Sequence, residues 1–290
     1  LYTSGTAAMA LDTRRMWDYA KDRVLSAEQR EKILALQKQR EGGWIYERQQ
    51  QRSVDLSERE RILAFARAKP TAVLYGNVSW DLAALDKDCC FSSLSVAYRE
   101  IVTFFRKNPA IQLIVKPHPD EDREGVPLTL ERLGDIARAS IGDGATNILL
   151  LQSAAPVTAY DLYPETRCSI CHTSSSGIES AWYGTPTLLF GRPHFRGKGF
   201  TVDPEGPGEF FGELVRLLSA PERVPNQVSE QALKYWYHLF FTLNVEVGLP
   251  SYIAPGPTED KPVEAFLKND AWRKVIEGVI GGYELPFLAD

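Results

Sequence analysis

Apolar positions along the chain follow two different periods. From Leu11 to about Arg40, Met16, Tyr19, Val24, Leu25, Ile33 and Leu36 fall where one face of a helix collects them, and Gly42-Gly43 stops the pattern. A second helical stretch, "LSERERILAFARAKP", carries a capping-box signature in Ser57 and Glu60 and ends at Pro70. From Thr71 the period shortens. "TAVLYGN" is a nearly continuous apolar run, and similar runs recur at Ile111 to Lys116, Thr146 to Leu151, Arg167 to His172 and Thr185 to Phe190. Short runs of this kind suit strands buried on both faces. Helical stretches from Ser93 to Lys107 and from Leu128 to Ser140 lie between them. Strand alternating with helix predicts an α/β protein with a doubly wound, Rossmann-like parallel sheet. After Asp203 the pattern is helical again over Gly208 to Leu218, Val228 to Leu243 and Val263 to Ile280. The expected organisation is a helical lead-in over 1–70, a sheet domain over 71–220, and C-terminal helices over 221–290 that pack back on the cleft.

Composition narrows the partners more than the fold. A net charge of −5, with cations scattered among acids, argues against nucleic acid as the main partner. No apolar run approaches the roughly 18–20 residues of a membrane-spanning helix, so only peripheral membrane association is compatible with the sequence. The chain starts with Leu rather than Met, and nothing there resembles a signal peptide. Cys89, Cys90, Cys168 and Cys171 read as reduced thiols of a cytosolic protein. "CSIC" has the look of a buried strand, and no metal site is expected.

The predicted sheet locates the chemistry. Ligands of open parallel sheets sit outside the carboxyl ends of the strands, where loops lead into helices. The first strand ends in "GNVSWD", where Asn77 and Ser79 suit turns and Asp81 is placed to act as base or nucleophile. The second ends in "KPHPD". Lys116 and His118, two apart in an extended segment, project to one side, while Pro117 and Pro119 stiffen the backbone. A cation and an imidazole fixed together suit a phosphate. The fourth strand runs into "TSSSGIES", where Thr173, Ser174, Ser175 and Ser176 with Gly177 exceed what one helix cap needs and suit an anion. Glu179, one turn on, is placed to meet a ribose diol or to face the helix dipole. The fifth ends in "GRPHFRGKGFT", whose Arg192, Arg196 and Lys198 are separated by glycines that permit tight turns around an anionic ligand.

"KPHPD" followed by "TSSSGIESAWYGTPTLLFGRPHFRGKGFT" resembles the bacterial capsule and surface polysaccharide biosynthesis proteins, which include the capsule Kdo (3-deoxy-D-manno-octulosonate) transferases. "NVSWD" and "TAYDL" (Thr158 to Leu162) also look like segments of that family, and the likeness covers roughly Thr71 to Leu218. The resemblance implies a GT-B-type glycosyltransferase whose nucleotide-sugar-binding half is the sheet domain. By that resemblance, His118 and Ser174 contact the phosphate of a CMP-activated acidic sugar, Thr173, Ser175 and Ser176 lie nearby, and Glu179 faces the nucleotide. Asp81 is the candidate nucleophile of a retaining double displacement. The donor is a substrate and no cofactor is implied. The acceptor is a glycan or glycolipid, met in the cytoplasm or at the inner face of its membrane. A complete GT-B enzyme has two Rossmann-like domains, and the lead-in is too short to supply the second, so it reads as the remnant of an acceptor domain. CDP-glycerol polymerases and UDP-sugar 2-epimerases share the His-Pro and serine-rich pairing, and a noncatalytic nucleotide-sugar or polysaccharide-binding subunit is the reading outside enzymes.

Overall fold

The structure, a computed structural model, describes residues 12–41, 56–79, 86–122, 129–219, 223–243, 268 and 270–281. Contacts divide the chain into two compact units, Gln39–Leu233 and a smaller one that joins Leu1–Lys38 to Lys234–Asp290.

The larger unit is built on five parallel strands, β1 (Thr71–Tyr75), β2 (Gln112–Lys116), β3 (Ile148–Leu150), β4 (Cys168–Cys171) and β5 (Thr187–Leu189). Their order is β3-β2-β1-β4-β5. The chain builds outward from β1 to β3, then returns to the other side of β1, so the order reverses between β1 and β4. That reversal is the topological switch point at which open α/β sheets bind ligands. Every residue of β1, β2, β4 and β5 is buried, the physical reason their sequences are apolar without alternation. The "CSIC" run is β4, and the four cysteines are free.

Among the described residues the helices are, in chain order, α1 (Arg14–Ala20), α2 (Ala27–Glu41), α3 (Leu56–Ala68), α4 (Leu94–Lys107), α5 (Leu133–Ile141), α6 (Ala159–Leu162), α7 (Ser176–Trp182), α8 (Pro207–Ser219), α9 (Asn226–Phe241) and α10 (Asp270–Gly281). On α4 the Ser93 hydroxyl caps the N-terminus by accepting from Val96 N at 3.2 Å, and Ala97, Tyr98, Ile101, Val102 and Phe105 form its buried face. Phe210, Leu214, Leu217 and Leu218 of α8 join the same core, where Phe104 and Phe211 stack at 4.7 Å. Burying each such side chain contributes about 1.5–3 kcal/mol. Helix α3 is tied to the segment before β4 by Arg59 to Asp161 at 2.6 Å and Arg67 to Glu165 at 2.8 Å.

Three local expectations change. The lead-in is interrupted between α1 and α2, because Ser26 and Gln29 form a reciprocal cap that starts a new helix: Gln29 N donates to Ser26 Oγ at 3.1 Å and Ser26 N to Gln29 Oε1 at 2.9 Å. Val24, expected on the apolar face, falls in the connection and is 89% exposed. Ser57 and Glu60 both lie inside α3, and Glu60 pairs with Arg67 Nη1 at 3.0 Å instead of closing a capping box. Helix α5 begins at Leu133, where Glu121 Oε1 accepts from Leu133 N at 2.9 Å. Gly42, Gly43, Leu128 and the residues of the last helical stretch before Lys268 lie outside the described residues.

The smaller unit has its own contacts. Trp17 meets Tyr235 edge to face at 5.6 Å, and Tyr235 Oη donates to Thr13 Oγ1 at 3.0 Å.

Candidate functional site

The loops that follow β1, β2, β4 and β5 open at the carboxyl end of the sheet, around the switch point. At the end of β1, Asn77 is buried and crosses that point: its Nδ2 donates to Thr173 Oγ1 at 2.9 Å, and Thr173 N donates to its Oδ1 at 3.4 Å. Asn77 N in turn donates to Tyr98 Oη at 3.1 Å. Asn77 is therefore a crosslink between the β1 and β4 ends, and Thr173 is its partner. Asp81 lies outside the described residues.

At the end of β2, Lys116 is buried beside Tyr75, and its ammonium donates to the Val157 carbonyl at 3.4 Å. His118 precedes a short 3-10 turn, Pro119–Glu121, with Pro119 at its first position. The His118 side chain is 29% exposed and its Nδ1 accepts from Asp120 N at 3.1 Å. A nitrogen that accepts carries no proton, so neutral His118 holds its proton on Nε2. The turn thus selects the tautomer that donates from the far side of the ring. Glu121 ends the turn and anchors it to α5. Burial raises its carboxyl to about 7, against the opposing bonds from Leu133 N and Gly134 N.

At the end of β4, Ser174, Ser175 and Ser176 are half-buried at the start of α7. Ser174 Oγ accepts from Ser176 N at 3.3 Å, whereas Ser175, the formal N-cap, makes no side-chain cap bond. One hydroxyl does the capping and the other two are surplus to it. Gly177 is buried against the Phe195 ring and Thr187, and its carbonyl accepts from Thr187 Oγ1 at 2.8 Å. Glu179 is buried in an ionic cluster: Arg40 Nε donates to its Oε1 at 2.8 Å and Tyr163 Oη to its Oε2 at 3.4 Å. Tyr160 is within electrostatic reach of Arg40 and Glu179. Burial and the Glu179 charge push the Tyr160 phenol well above its ordinary range.

The loop after β5 is held from inside. Arg196 Nη1 donates to Gly191 O at 3.2 Å, and Nη2 to Asp203 O and Pro204 O at 2.7 Å and to Glu205 Oε1 at 3.0 Å. Its fork closes the loop. Arg192 is exposed, 3.6 Å from Glu205. Gly197 and Gly199 have φ of +73° and +85°, the left-handed turns expected of the glycines here. Gly191 serves a different need, since a Cβ on it would stand 2.3 Å from His172 Cδ2. His194 sits close to Lys198 and Lys87. Burial, then the charges of those two lysines, lowers its imidazole to about 4, so it is neutral near pH 7. Buried His172, whose Nε2 is 3.4 Å from Asp88 Oδ1, is also held low, chiefly by burial.

The structure therefore brings Lys116, His118 and Pro119 at the end of β2 and Thr173, Ser174, Ser175, Ser176 and Gly177 at the end of β4 to the same edge of the sheet, on either side of β1. It commits Glu179 to Arg40 and Arg196 to backbone carbonyls, and it adds Lys87 and His194 beside Lys198. His194 stands in the basic loop but is not among the residues that the sequence pattern singles out there. Arg40 lies 139 residues from Glu179 and no local pattern announces it. Among the described residues, no group of three or more His, Cys, Asp or Glu side chains is arranged to hold a metal ion, and no helix is long and apolar enough to cross a membrane.

Residues 5–211 match the family described as capsule polysaccharide biosynthesis protein. The chain belongs to that family. No curated protein matches it. Among solved structures, this capsule-family chain is similar to a Thermosulfurimonas dismutans KpsC, beta Kdo 2,7 transferase, with 18% identity and a TM-score of 0.35 over 63% of this chain and 52% of that one. It is also similar to a T. dismutans KpsC, beta Kdo 2,4 transferase, with 16% identity and a TM-score of 0.35 over 62% and 54%. A third is UDP-GlcNAc 2-epimerase from Neisseria meningitidis bound to UDP-GlcNAc, with 12% identity and a TM-score of 0.36 over 63% and 48%. The capsule-family chain spans about half the length of each. Its α/β fold rests on its own parallel sheet, and its place in capsule polysaccharide biosynthesis on the family match.

Proposed function

We propose that this chain provides the donor-binding half of a GT-B-type capsule glycosyltransferase, which transfers an acidic sugar, Kdo, from CMP to a glycan or glycolipid acceptor. The observation that supports this reading is the pairing across the switch point. His118, with Nδ1 engaged by Asp120 N and its proton on Nε2, stands at the end of β2. The serine hydroxyls stand at the end of β4, two strands away. Adjacent strands are about 4.8 Å apart, so roughly 10 Å separates the two backbones, a gap that a phosphate reached from both sides by side chains can bridge.

In this reading the phosphate oxygens accept from His118 Nε2–H and from the serine hydroxyls, with the Lys116 ammonium behind them. As the bond from the anomeric carbon to the phosphate oxygen breaks, negative charge gathers on departing CMP. Donors already aimed at that oxygen stabilise the charge without reorganising. Asp81 is the proposed carboxylate that attacks the anomeric carbon before the acceptor hydroxyl displaces it. Glu179, oriented by Arg40, is the proposed nucleotide contact, and Arg192 and Lys198 supply positive charge for the sugar carboxylate. CMP-sugar and acceptor meet in the cytoplasm, at the inner face of the membrane when the acceptor is a glycolipid.

Calorimetric titration with CMP, CDP, UDP and GDP tests the reading. CMP is expected to bind selectively, and His118→Ala and Ser174→Ala are each expected to weaken it by about 1–3 kcal/mol, the range for a lost hydrogen bond to a charged group. Unchanged affinity in both variants would remove the phosphate assignment. Preference for UDP or CDP would move the donor to the epimerase-like or glycerophosphate branch.

A further inference from the structure

The amino ends of the same strands form a second charged site. Pro70 precedes β1 and Arg167 precedes β4, and between them opens a pocket of about 440 Å³ whose charged lining is Arg67, Lys69, Arg167, Arg223 and Glu165. Among the described residues, four cations face one acid there. That acid is already taken, because Arg67 Nε and Nη2 grip Glu165 at 2.8 and 3.0 Å. Lys69 Nζ donates to Pro109 O at 2.8 Å, and Arg223 Nη1 donates to Tyr163 O at 2.8 Å and to Thr185 Oγ1 at 2.5 Å. These oxygens are neutral, so both cations keep their charge, which Glu165 offsets only in part for Arg223. The half-buried Arg167 side chain makes no hydrogen bond or ion pair among the described residues.

We propose that this pocket is an anion subsite that holds a sugar unit bearing a carboxylate or phosphate. Burial and the facing charge of Arg167 pull the Arg223 pKa down, and the Glu165 charge opposes them only in part. An oxyanion between the two arginines relieves that repulsion and receives the planar fork of Arg167. Among the described residues no aromatic side chain lines the pocket, so these walls offer a base nothing to stack on. Its hydrogen-bonding walls and its volume, within the roughly 300–1,000 Å³ of small-molecule sites, suit a saccharide. The subsite lies at the opposite end of the strands from His118 and does not rest on the donor reading. In a capsule-family protein it gives an acidic glycan a second hold.

The test is calorimetric titration of the full chain at low salt with digalacturonate, uncharged digalactose and inorganic phosphate. Digalacturonate is expected to bind, to lose about tenfold or more in affinity in Arg167→Ala, and to keep its affinity in His118→Ala. Arg167→Lys, which keeps the charge and loses the fork, should fall between wild type and Arg167→Ala. Unfolding midpoints equal to wild type exclude a folding defect in the Arg167 variants. The proposal is overturned by absence of digalacturonate binding, by equal binding of digalactose, by indifference to Arg167, or by loss in His118→Ala. Phosphate that binds as tightly as digalacturonate with the same Arg167 dependence overturns the saccharide assignment.

Discussion

Arg40→Met is expected to lower the free energy of unfolding by about 3–5 kcal/mol at neutral pH, because it strips the partner from a carboxylate that stays buried. The Arg40 and Glu179 side chains are 18% and 5% exposed and meet at 2.8 Å, so water cannot replace the guanidinium. Burial alone would pull the Arg40 pKa down, yet the Glu179 charge and the bonds from Glu179 and Tyr160 raise it, which marks the pair as tightly held. Tyr163 supplies a hydrogen bond but no charge. In Arg40→Met the carboxylate therefore keeps its desolvation cost and loses its counter-ion. The double variant Arg40→Met with Glu179→Met removes both charges and is expected to recover most of the loss, since apolar side chains of similar volume tolerate the site. Urea unfolding of the wild type, both single variants and the double variant measures the coupling. A loss below about 1 kcal/mol in Arg40→Met would place the pair in the class of solvent-screened bridges. The pair also bears on the proposed donor site, because Arg40 orients Glu179, the proposed nucleotide contact.

Glu121→Gln is expected to remove a pH dependence of about 3 kcal/mol. The Glu121 carboxyl, ordinarily near 4.5, is raised to about 7, first by burial and then by the neighbouring Asp122 charge, against the bonds from Leu133 N and Gly134 N. Below the ordinary value the group is neutral in both folded and unfolded chains. Between the two values the unfolded chain releases its proton while the folded chain keeps it, so stability falls as pH rises. Above about 7 the folded chain carries a buried charge and the loss is complete. At about 1.4 kcal/mol for each pH unit, a window of roughly 2.5 units amounts to about 3 kcal/mol. Gln keeps an oxygen to accept from Leu133 N and has no proton to release. The stability difference between Glu121→Gln and wild type should therefore grow by about 3 kcal/mol in favour of the variant between about pH 4 and pH 8. A difference that does not move with pH would assign the cost at this site to something other than ionisation. Because Glu121 closes the turn that sets the His118 tautomer, CMP affinity measured across the same range shows whether that turn and the proposed donor site respond together.

The sheet was legible because its determinants are local. Runs such as "TAVLY" and "QLIVK" have no polar face to show to water, so they become strands covered on both sides, and the intervening amphipathic stretches become the helices that cover them. Ser93 as the start of the α4 stretch follows from chemistry that reaches only three or four residues, whereas Pro119, read as stiffening an extended segment, opens a 3-10 turn. Once parallel strands are expected, His118 and the Thr173 to Ser176 hydroxyls must emerge at the same end.

The same local signals misplace what depends on distant partners. Apolar spacing runs across Ala20 to Ala27, yet the Ser26 and Gln29 cap divides the lead-in and leaves Val24 in water. Arg196 and Arg192 look alike in "GRPHFRG", but only the folded loop turns the Arg196 fork onto the Asp203 and Pro204 carbonyls. Asn77 resembles a turn residue until β1 and β4 become neighbours and Thr173 meets it. Arg40 finds Glu179, and Arg167 faces Arg223, across stretches of chain that carry no shared period. Hydrophobic alternation and turn chemistry are properties of neighbouring residues and could be read directly from the chain. The charge partners and the cationic pocket at the amino ends of the strands were decided by the tertiary structure, because electrostatic energy depends on distances and burial that arise only when remote segments pack together.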